Sequence, residues 1–339
     1  MQGNRLPRCR SVSLPESARP LLFVVVDTEE EFDWEAPYSR RNVAVTAMRS
    51  IERGQLIFDR FGVKPTYVVD YPVASQREGF EPLQEIAGEG RCTIGAHLHP
   101  WVNPPFDEDV TTRNSFTMNL PTELQRSKLT VLSSVIEEHL QVTPTVFKAG
   151  RYGLGSDTVS VLDESGFTID MSVCPRYDFS DQCGPSYVHF DASPFFLTPR
   201  LLEVPCTVDY TGWAGGLRPT LHRRSLTATG IRVKATGILS RLGAANRIML
   251  SPEGNTFEEM RDLAAALVQR GCRTLTLSYH SPSLAPGHTP YVRTQQDLDV
   301  FLRSIESFCS FFFTDLNGVA ATPTEFRTDF LSSSPGLYE

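Results

Sequence analysis

The sequence predicts an α/β protein folded as an irregular (β/α)7 barrel. Short apolar runs alternate with amphipathic segments about seven times along the 339-residue chain. Strands that alternate with helices form a parallel sheet, and about seven repeats favour closure of that sheet into a barrel. Charged and imidazole side chains also follow several of the apolar runs directly. In parallel α/β folds, functional groups collect at this carboxyl edge of the sheet.

The strands are predicted from apolar or β-branched runs that end in polar residues. They are expected at 22–26, 66–69, 92–96, 145–148, 167–171, 201–206 and 273–279. The helices are predicted from 3.6-residue spacing and from capping residues. They are expected at 45–61, 80–87, 121–141, 156–165, 256–270 and 294–313. The segment 101–120 is rich in Pro, Asn and Asp and is long, which is typical of a functional loop.

Residues 20–325 are predicted to form one barrel domain, because no linker or internal repeat interrupts this range. Residues 1–19 contain arginines but no apolar segment of a secretory signal, and we expect a loosely ordered leader there. Residues 326–339 are expected to be a tail. Residues 207–255, between the last two strands, are expected to be an insertion.

The first predicted strand ends abruptly in carboxylates. Five apolar residues at 22–26 are followed by Asp27, Glu29 and Glu30. A strand of this kind delivers acidic groups to the edge of a sheet, where they could take part in chemistry. The alternative is an acidic loop that only caps the next helix.

A second stretch, at 95–101, favours the chemical interpretation. It places His97 and His99 two residues apart at the end of a predicted strand. Side chains at i and i+2 of a strand point the same way, so both imidazoles can converge on one metal ion. With a carboxylate they form a two-His-one-carboxylate set that leaves positions open for water and substrate. Two histidines buried for packing alone would each need a buried polar partner.

Composition argues against several classes of function. The net charge of −8 argues against a nucleic-acid-binding protein, and no apolar run approaches the length of a membrane span. The seven cysteines are scattered without a CxxC pair, which favours reduced thiols and a cytoplasmic location over a disulfide framework. There is no GxGxxG after the first strand and no Walker sequence, so nucleotide binding has weak support.

Three further polar residues follow predicted strands, namely Arg151, Asp170 and His280. Taken singly, each has a structural explanation as a salt-bridging arginine, a helix N-cap and a core histidine. In a barrel, however, all three would face the same edge as the carboxylates and histidines, and so they can converge.

In this order, the residues resemble the motifs of the NodB-homology polysaccharide deacetylases (carbohydrate esterase family 4), most closely those of the WalW-like branch. The resemblance covers roughly residues 20–325 and implies the NodB type of barrel. It implies that Asp27 is the catalytic base and that Glu29 is the acidic metal ligand. His97 and His99 match the two metal histidines.

The later motifs imply three more roles. Arg151, in GRYG, would order the base, and His280, in LSYH, would be the general acid. Asp170 would tune that histidine. The sequence also departs from the family pattern in four places. The first motif reads Asp-Thr-Glu-Glu, so Glu30 is an alternative ligand. The histidine spacing is i, i+2 instead of i, i+4, no Trp follows Asp170, and Gly153 replaces a Pro.

The predicted function is metal-dependent removal of the acetyl group from an N-acetylated sugar, carried by a polysaccharide, a glycoconjugate or a nucleotide- or lipid-linked intermediate. One divalent ion, with zinc favoured over cobalt, nickel and manganese, would lower the pKa of bound water. Asp27 could then take a proton from the water, and His280 could protonate the departing amine. The alternatives are an inactive carbohydrate-binding relative and an amidase of the same superfamily that acts on a non-sugar amide.

Four aromatic residues are predicted to contact the substrate, namely Trp101, Tyr152, Tyr210 and Trp213. After the last two, the insertion turns basic. Its cationic residues are Arg218, Arg223, Arg224, Arg232, Lys234, Arg241 and Arg247. They could receive an anionic part of the substrate such as a diphosphate, which arginine binds in bidentate fashion. The alternative is a solvated basic surface.

Overall fold

The computed structural model describes residues 6–7, 10–212, 220 and 246–332. Its strands are β1 (Arg10–Ser11), β2 (Leu21–Thr28), β3 (Thr66–Val69), β4 (Thr93–Leu98), β5 (Val146–Ala149), β6 (Ile169–Asp170), β7 (Phe195–Phe196), β8 (Leu202–Glu203), β9 (Val208–Thr211), β10 (Asn246–Met249), β11 (Thr274–His280) and β12 (Val319–Ala320). Its α-helices are α1 (Ile51–Arg60), α2 (Tyr71–Ser75), α3 (Arg77–Gly88), α4 (Thr122–Leu140), α5 (Ser156–Glu164), α6 (Phe257–Gln269), α7 (Gln295–Thr314) and α8 (Pro323–Ser332).

Parallel strands form the curled sheet of the barrel. In the described part of the chain their order is β8-β6-β5-β4-β3-β2-β11, and each neighbouring pair is parallel. β7 and β1 extend this sheet antiparallel beyond β8, and β12 pairs with the start of β2. The α/β barrel predicted from the alternation of strands and helices is therefore confirmed, with these seven parallel strands.

The barrel is irregular where β8 approaches β11. Among the described residues these two strands form no ladder, and individual hydrogen bonds bridge them instead. The Thr276 amide donates to Thr207 Oγ1 at 2.7 Å, and the Thr276 hydroxyl donates to the Pro205 carbonyl at 3.0 Å. The antiparallel pair of β9 and β10 lies next to this gap and forms the two ends of the predicted insertion.

Alternation along the strands separates two apolar layers. Phe23 and Val25 of β2 pack with residues of four other barrel strands, β3, β5, β6 and β8, which places them inside the barrel. Leu22, Val24 and Val26 pack against the surrounding helices. Because strand side chains alternate, Asp27 continues the inner face at the carboxyl end of β2.

Caps define several helix starts. Thr256 and Thr294 each form a capping box, with Glu259 and Asp297 respectively, at the predicted starts of α6 and α7. One helix, α2, was not predicted, because Asp-Tyr-Pro at its start is typical of a turn that interrupts regular secondary structure. Here the Asp70 carboxylate accepts a hydrogen bond from the Val73 amide, and proline is tolerated in a first turn.

The structure differs from the prediction at both ends of the domain. Within the expected leader, β1 pairs with β7 and Val12 is buried. The expected tail begins inside α8, where the Phe326 ring lies 5.4 Å from the ring of Phe23. Both segments bury apolar side chains, because the apolar interior of the barrel must be covered at the end opposite the carboxyl edge of the sheet.

The described helices and cysteines bear on two expectations from composition, the lack of a membrane span and the reduced thiols. None of the described helices has the length and apolarity needed to cross a membrane. The six cysteines in the described ranges are all unpaired.

Candidate active site

A cavity of about 340 Å³ opens at the carboxyl end of the parallel strands. It is bordered by residues from the ends of several strands, among them Asp27, Glu29, His97, His99, Arg151 and His280. Five of the strand-end positions singled out in the sequence therefore lie together with Glu29, and Asp170 is the exception.

Three donors converge at the base of this cavity. Glu29 Oε2 lies 3.6 Å from His97 Nε2 and 3.4 Å from His99 Nε2. One donor atom from each residue falls within 4.8 Å of the others. Glu29 Oε1 is buried without a hydrogen-bond partner, which is unusual for a carboxylate oxygen. This set could hold one divalent cation, in agreement with the two-His-one-carboxylate prediction.

Hydrogen bonds on the far side of each ring orient both histidines. His97 Nδ1 lies 2.9 Å from the Lys148 carbonyl, which only accepts, so the ring proton is on Nδ1. His99 Nδ1 lies 2.8 Å from Glu30 Oε2. Each Nε2 lone pair is therefore free to bind a cation, and partners of this kind are usual for metal-binding histidines.

Burial keeps both imidazoles neutral. It lowers the pKa of His97, and it lowers the pKa of His99 to about 4. A histidine binds metal only in its neutral form, so neither ring needs to lose a proton near neutral pH.

The two candidate acidic ligands occupy different places. Both oxygens of Glu30 are already engaged, one by His99 and the other by the indole N–H of Trp101 at 2.8 Å. Its backbone amide donates to Asp70 Oδ2. Glu30, Asp70 and His99 also lie close enough to form a second cluster, but Glu30 orients His99, which leaves Glu29 as the favoured ligand.

Trp101 contributes to this arrangement. The residue is 1% exposed, and its ring stacks on His99, with centroids 4.3 Å apart. Trp101 also borders the cavity, and its contact with substrate stays a prediction.

Asp27 is paired with a buried lysine that the sequence analysis missed. Lys148 Nζ lies 2.6 Å and 2.7 Å from the two carboxylate oxygens. Burial alone would raise the pKa of Asp27, but the charge and hydrogen bond of Lys148, together with the neighbouring His97 and His280, outweigh burial and lower it. The carboxylate is therefore ionised at neutral pH.

Arg151, predicted to order this base, is held elsewhere. Its guanidinium donates to Ser115 Oγ at 2.6 Å and to the side chain of Gln182, and it lies 4.0 Å from the ring centroid of Phe116. Arg151 has φ of 54°, in the turn after β5, whereas Lys148 lies on the inner face of β5 itself. The prediction for Arg151 is corrected, because Lys148 contacts Asp27.

His280 is held by a second missed residue, Glu253. His280 Nδ1 lies 2.7 Å from Glu253 Oε2, and Nε2 lies 3.7 Å from Asp27 Oδ2. Burial would lower the pKa of His280, but the carboxylates of Glu253, Glu29 and Asp27 together raise it to about 10. The ring is therefore a cation at neutral pH, with Nε2–H directed toward Asp27.

Asp170, predicted to tune His280, faces away from the cavity. Its neighbours Ile169 and Met171 belong to the interior cluster, so alternation turns Asp170 to the opposite face of β6. There it accepts hydrogen bonds from the hydroxyl and amide of Ser172 and is paired in register with Glu203. The prediction is corrected, and Glu253 is the partner of His280.

The other predicted aromatic contacts have different outcomes. Tyr152 borders the cavity, next to Lys148. Tyr210 does not border it and is only 6% exposed. Trp213 lies outside the described residues, as do the basic residues Arg218, Arg223, Arg224, Arg232, Lys234 and Arg241.

Aromatic residues that were not predicted also form the rim. Phe32 and Trp34 stack with ring centroids 5.7 Å apart, and the ring centroid of Trp34 lies 4.8 Å from that of His280. Their signal in the sequence was Phe-Asp-Trp directly after the acidic cluster.

The two missed charged residues differ in what the sequence showed. Lys148 had a signal, since a lysine inside a buried strand requires a counter-charge. Glu253 had none, because it lies on a loop distant in sequence.

Comparison with known structures identifies the fold. A protein from Mycobacterium smegmatis assigned as a polysaccharide deacetylase matches with a TM-score of 0.57 and 14% identity, over 97% of this chain and 96% of that one. This chain has the NodB-type deacetylase fold.

The NodB-type fold is shared with an enzyme of another name. The crystal structure of Puue allantoinase matches with a TM-score of 0.57 and 15% identity, over 95% of this chain and 93% of that one. No family model and no curated protein matches the sequence. The resemblance to NodB-type proteins is thus confirmed at the level of the fold, and the WalW-like branch stays a prediction.

Proposed function

We propose that the protein is a metal-dependent hydrolase that removes the acetyl group from an N-acetylated sugar. The observation that carries the proposal is a pair of oppositely charged groups beside three converging donors. Asp27 is an anion stabilised by Lys148, and His280 is a cation stabilised by Glu253. Hydrolysis of an amide needs a proton acceptor for water and a proton donor for the amine, and these two groups have those states at neutral pH.

Glu29, His97 and His99 would hold the metal ion. A divalent ion bound there would supply an electrophile that acidifies water and polarises the acyl carbonyl. Two neutral imidazoles and one carboxylate suit zinc, which remains the favoured ion, with cobalt, nickel and manganese as alternatives.

Asp27 would accept a proton from the attacking water as the new carbon–oxygen bond forms. His280 would donate its Nε2 proton to the amide nitrogen as the carbon–nitrogen bond breaks, because the sugar amine is a poor leaving group unless its nitrogen is protonated. The proton gained by Asp27 equals the proton lost by His280. Asp27 Oδ2 and His280 Nε2 lie 3.7 Å apart, so a closer approach of the two side chains or exchange with solvent would return the proton after turnover.

The rim supports a sugar as the substrate. Phe32, Trp34 and Tyr152 border the cavity, and aromatic faces pack well against the apolar C–H faces of sugar rings. A non-sugar amide is a second candidate, because the fold also occurs in an allantoinase and the charged groups would serve any amide. The cytoplasmic location stays a prediction from the cysteines of the sequence.

The test is a substrate screen with zinc-loaded protein. N-acetylglucosamine oligomers, N-acetylated monosaccharides and allantoin would each be incubated with the enzyme, and the products would be identified by mass spectrometry. Acetate from a sugar supports the proposal, whereas hydrolysis of allantoin alone supports the second candidate. Sugar binding without any hydrolysis would mean an inactive carbohydrate-binding protein and would contradict both.

A further inference from the structure

Arg247 borders the cavity without an acidic partner among the described residues. Its guanidinium donates to the Arg176 carbonyl at 3.1 Å and lies 3.6 Å from the ring centroid of Tyr177. Asp209, on the neighbouring strand, is already bonded by Arg176 at 3.2 Å and by Arg270 at 2.5 Å. The charge of Arg247 is therefore not neutralised locally.

The acidic residues of the cavity have other partners. Asp27 pairs with Lys148, and Glu253 pairs with His280. Glu29 faces the two metal-binding histidines. An anion that enters the cavity thus meets Arg247 as an uncompensated cation in a partly enclosed site, where charge–charge attraction is stronger than in bulk water.

Three stacked rings connect this arginine to the reacting groups, and we call them the aromatic wall (Tyr152, Phe179 and Tyr177). The centroids of Tyr152 and Phe179 are 5.6 Å apart at 17°, and those of Phe179 and Tyr177 are 5.7 Å apart at 11°. Tyr152 lies at the end nearest Asp27, since Lys148 Nζ is 5.5 Å from its ring. Arg247 lies at the other end.

We propose that Arg247 binds an anionic group of the substrate, a phosphate or a carboxylate, while the amide-bearing ring lies along the aromatic wall. The proposal rests on the proposed function for the position of the amide beside Asp27. Because the wall separates the two ends, the anion belongs to a part of the substrate beyond the ring that carries the acetamide. Guanidinium groups bind both anions through two parallel N–H bonds.

Arg151 also borders the cavity but is the weaker candidate. Its two terminal nitrogens donate to Ser115 and Gln182, and the group is sandwiched near Tyr38 and Phe116. These contacts occupy both terminal nitrogens of Arg151, whereas Arg247 donates to one backbone carbonyl and otherwise contacts the side chain of Tyr177.

The test compares binding of three sugars to zinc-loaded protein by calorimetry. The probes are N,N'-diacetylchitobiose, its 1-phosphate and the disaccharide of N-acetylglucosamine linked to N-acetylmuramic acid, which are neutral, phosphorylated and carboxylated, with the anion on the second ring. Wild type should bind at least one anionic sugar about tenfold or more tightly than the neutral one, the usual contribution of a charged hydrogen bond. Whether phosphate or carboxylate is preferred identifies the source of the anion.

Variants decide whether Arg247 is responsible. Arg247→Gln should reduce the preference for the anionic sugar to within about twofold of the neutral one, and Arg247→Lys should keep part of it, because charge remains without the planar fork. Arg303→Gln is the matched control, since it removes an exposed arginine outside this cavity. Equal affinity of wild type for all three sugars, or a preference that survives Arg247→Gln, would overturn the proposal.

A fourth probe separates this proposal from the deacetylase function. Phenyl phosphate has a planar ring and a dianion but no amide. It should bind wild type and the Arg303→Gln control equally, and bind Arg247→Gln about tenfold or more weakly. That result would support the anion site even if no acetate were released from any sugar. Phenyl phosphate binding that is the same in all three proteins would place the anion elsewhere and contradict the proposal.

Discussion

At the residue scale, the state of the proposed base depends on Lys148. Replacing Lys148 with Met would leave Asp27 buried without its counter-charge, so the pKa of Asp27 should rise. The acidic limb of the profile of kcat/KM against pH should then move to higher pH, because the carboxylate must be ionised to accept a proton. Loss of one partner from a buried ion pair also costs roughly 3–5 kcal/mol of stability, so the profile should be measured well below the melting temperature.

Arg151→Gln is the matched control for this prediction. It removes a positive charge from the turn that follows the strand of Lys148 but none of the hydrogen bonds of Asp27. The acidic limb should therefore stay in place. A shift in Arg151→Gln with none in Lys148→Met would restore the role that the family motif assigns to Arg151.

The proposed acid depends in the same way on Glu253. The Glu253 carboxylate helps raise the pKa of His280 to about 10 against the effect of burial. Glu253→Gln should lower this pKa, so the imidazole loses its proton at lower pH and the alkaline limb of the profile moves down. Glu258→Gln, which removes an exposed carboxylate from α6, should leave the limb unchanged. An unmoved limb in Glu253→Gln would show that another group is the acid.

The sequence was informative about residues on strands and less so about their partners. His97, His99 and Glu29 could be predicted because strand alternation and strand ends are local properties. Lys148 is also local, and its burial inside an apolar run was the signal. Glu253 could not be found, because its contact with His280 depends on how a loop 27 residues away in sequence returns to the barrel.

At the element scale, the turn after β5 depends on a glycine next to His99, a proposed metal ligand. A methyl group on Gly150 would collide with the His99 ring and approach the Leu98 carbonyl to 2.7 Å. Gly150→Ala should therefore displace His99 and weaken metal binding by about tenfold or more, as is usual when a ligand is misoriented. Zinc titration monitored by competition with a chromophoric chelator measures this effect.

Gly88→Ala is the control for the glycine prediction, because a methyl group there meets no atom within 4 Å and φ is not positive. Its zinc affinity should equal that of wild type. Normal zinc affinity in Gly150→Ala would contradict the described approach of this turn to His99.

β6 and β8 carry a pair of buried acids on their outer faces. Burial and the neighbouring Asp170 raise the pKa of Glu203 well above its usual value of 4.5. The folded state therefore binds a proton that the unfolded chain releases, and this stabilisation is complete below pH 4.5 and declines as pH rises toward the raised pKa. Glu203→Gln mimics the protonated acid, so its melting temperature should fall less than that of wild type as pH increases.

Thermal unfolding between pH 5 and about pH 9 measures this difference, because this range begins above the pKa of an unfolded glutamate. Glu258→Gln again serves as the exposed control and should follow wild type. Parallel curves for wild type and Glu203→Gln would mean that Glu203 is ionised in the folded protein.

The outward position of Asp170 shows what strand patterns leave open. The run around it alternates, with apolar Ile169 and Met171 in the interior and polar Asp170 and Ser172 between and after them. Alternation alone does not say which of the two sets faces the cavity, because polar functional groups also point inward at the carboxyl edge of a barrel, as Asp27 does. The polar residue was therefore assigned to the wrong side of the sheet.

At the scale of the whole molecule, the alternation of strands and helices was sufficient to predict the barrel. The contributions of residues 10–12 and 323–332 were missed because short strands and terminal helices carry weak sequence patterns. These residues are buried because they cover the end of the barrel opposite the carboxyl edge, where the Phe326 ring contacts the Phe23 ring. Such contacts connect distant parts of the chain and are set by the completed fold.

The central claim is that Asp27 is the base beside a metal held by Glu29, His97 and His99. The most direct measurement is acetate release and bound zinc, determined on the same preparation of Asp27→Asn. Activity should fall on the order of hundreds- to ten-thousand-fold, the usual effect of losing an acid–base group. Zinc should remain at the wild-type level, and the His97→Ala/His99→Ala variant should lose it. Loss of zinc from Asp27→Asn, or near-normal acetate release, would contradict the account.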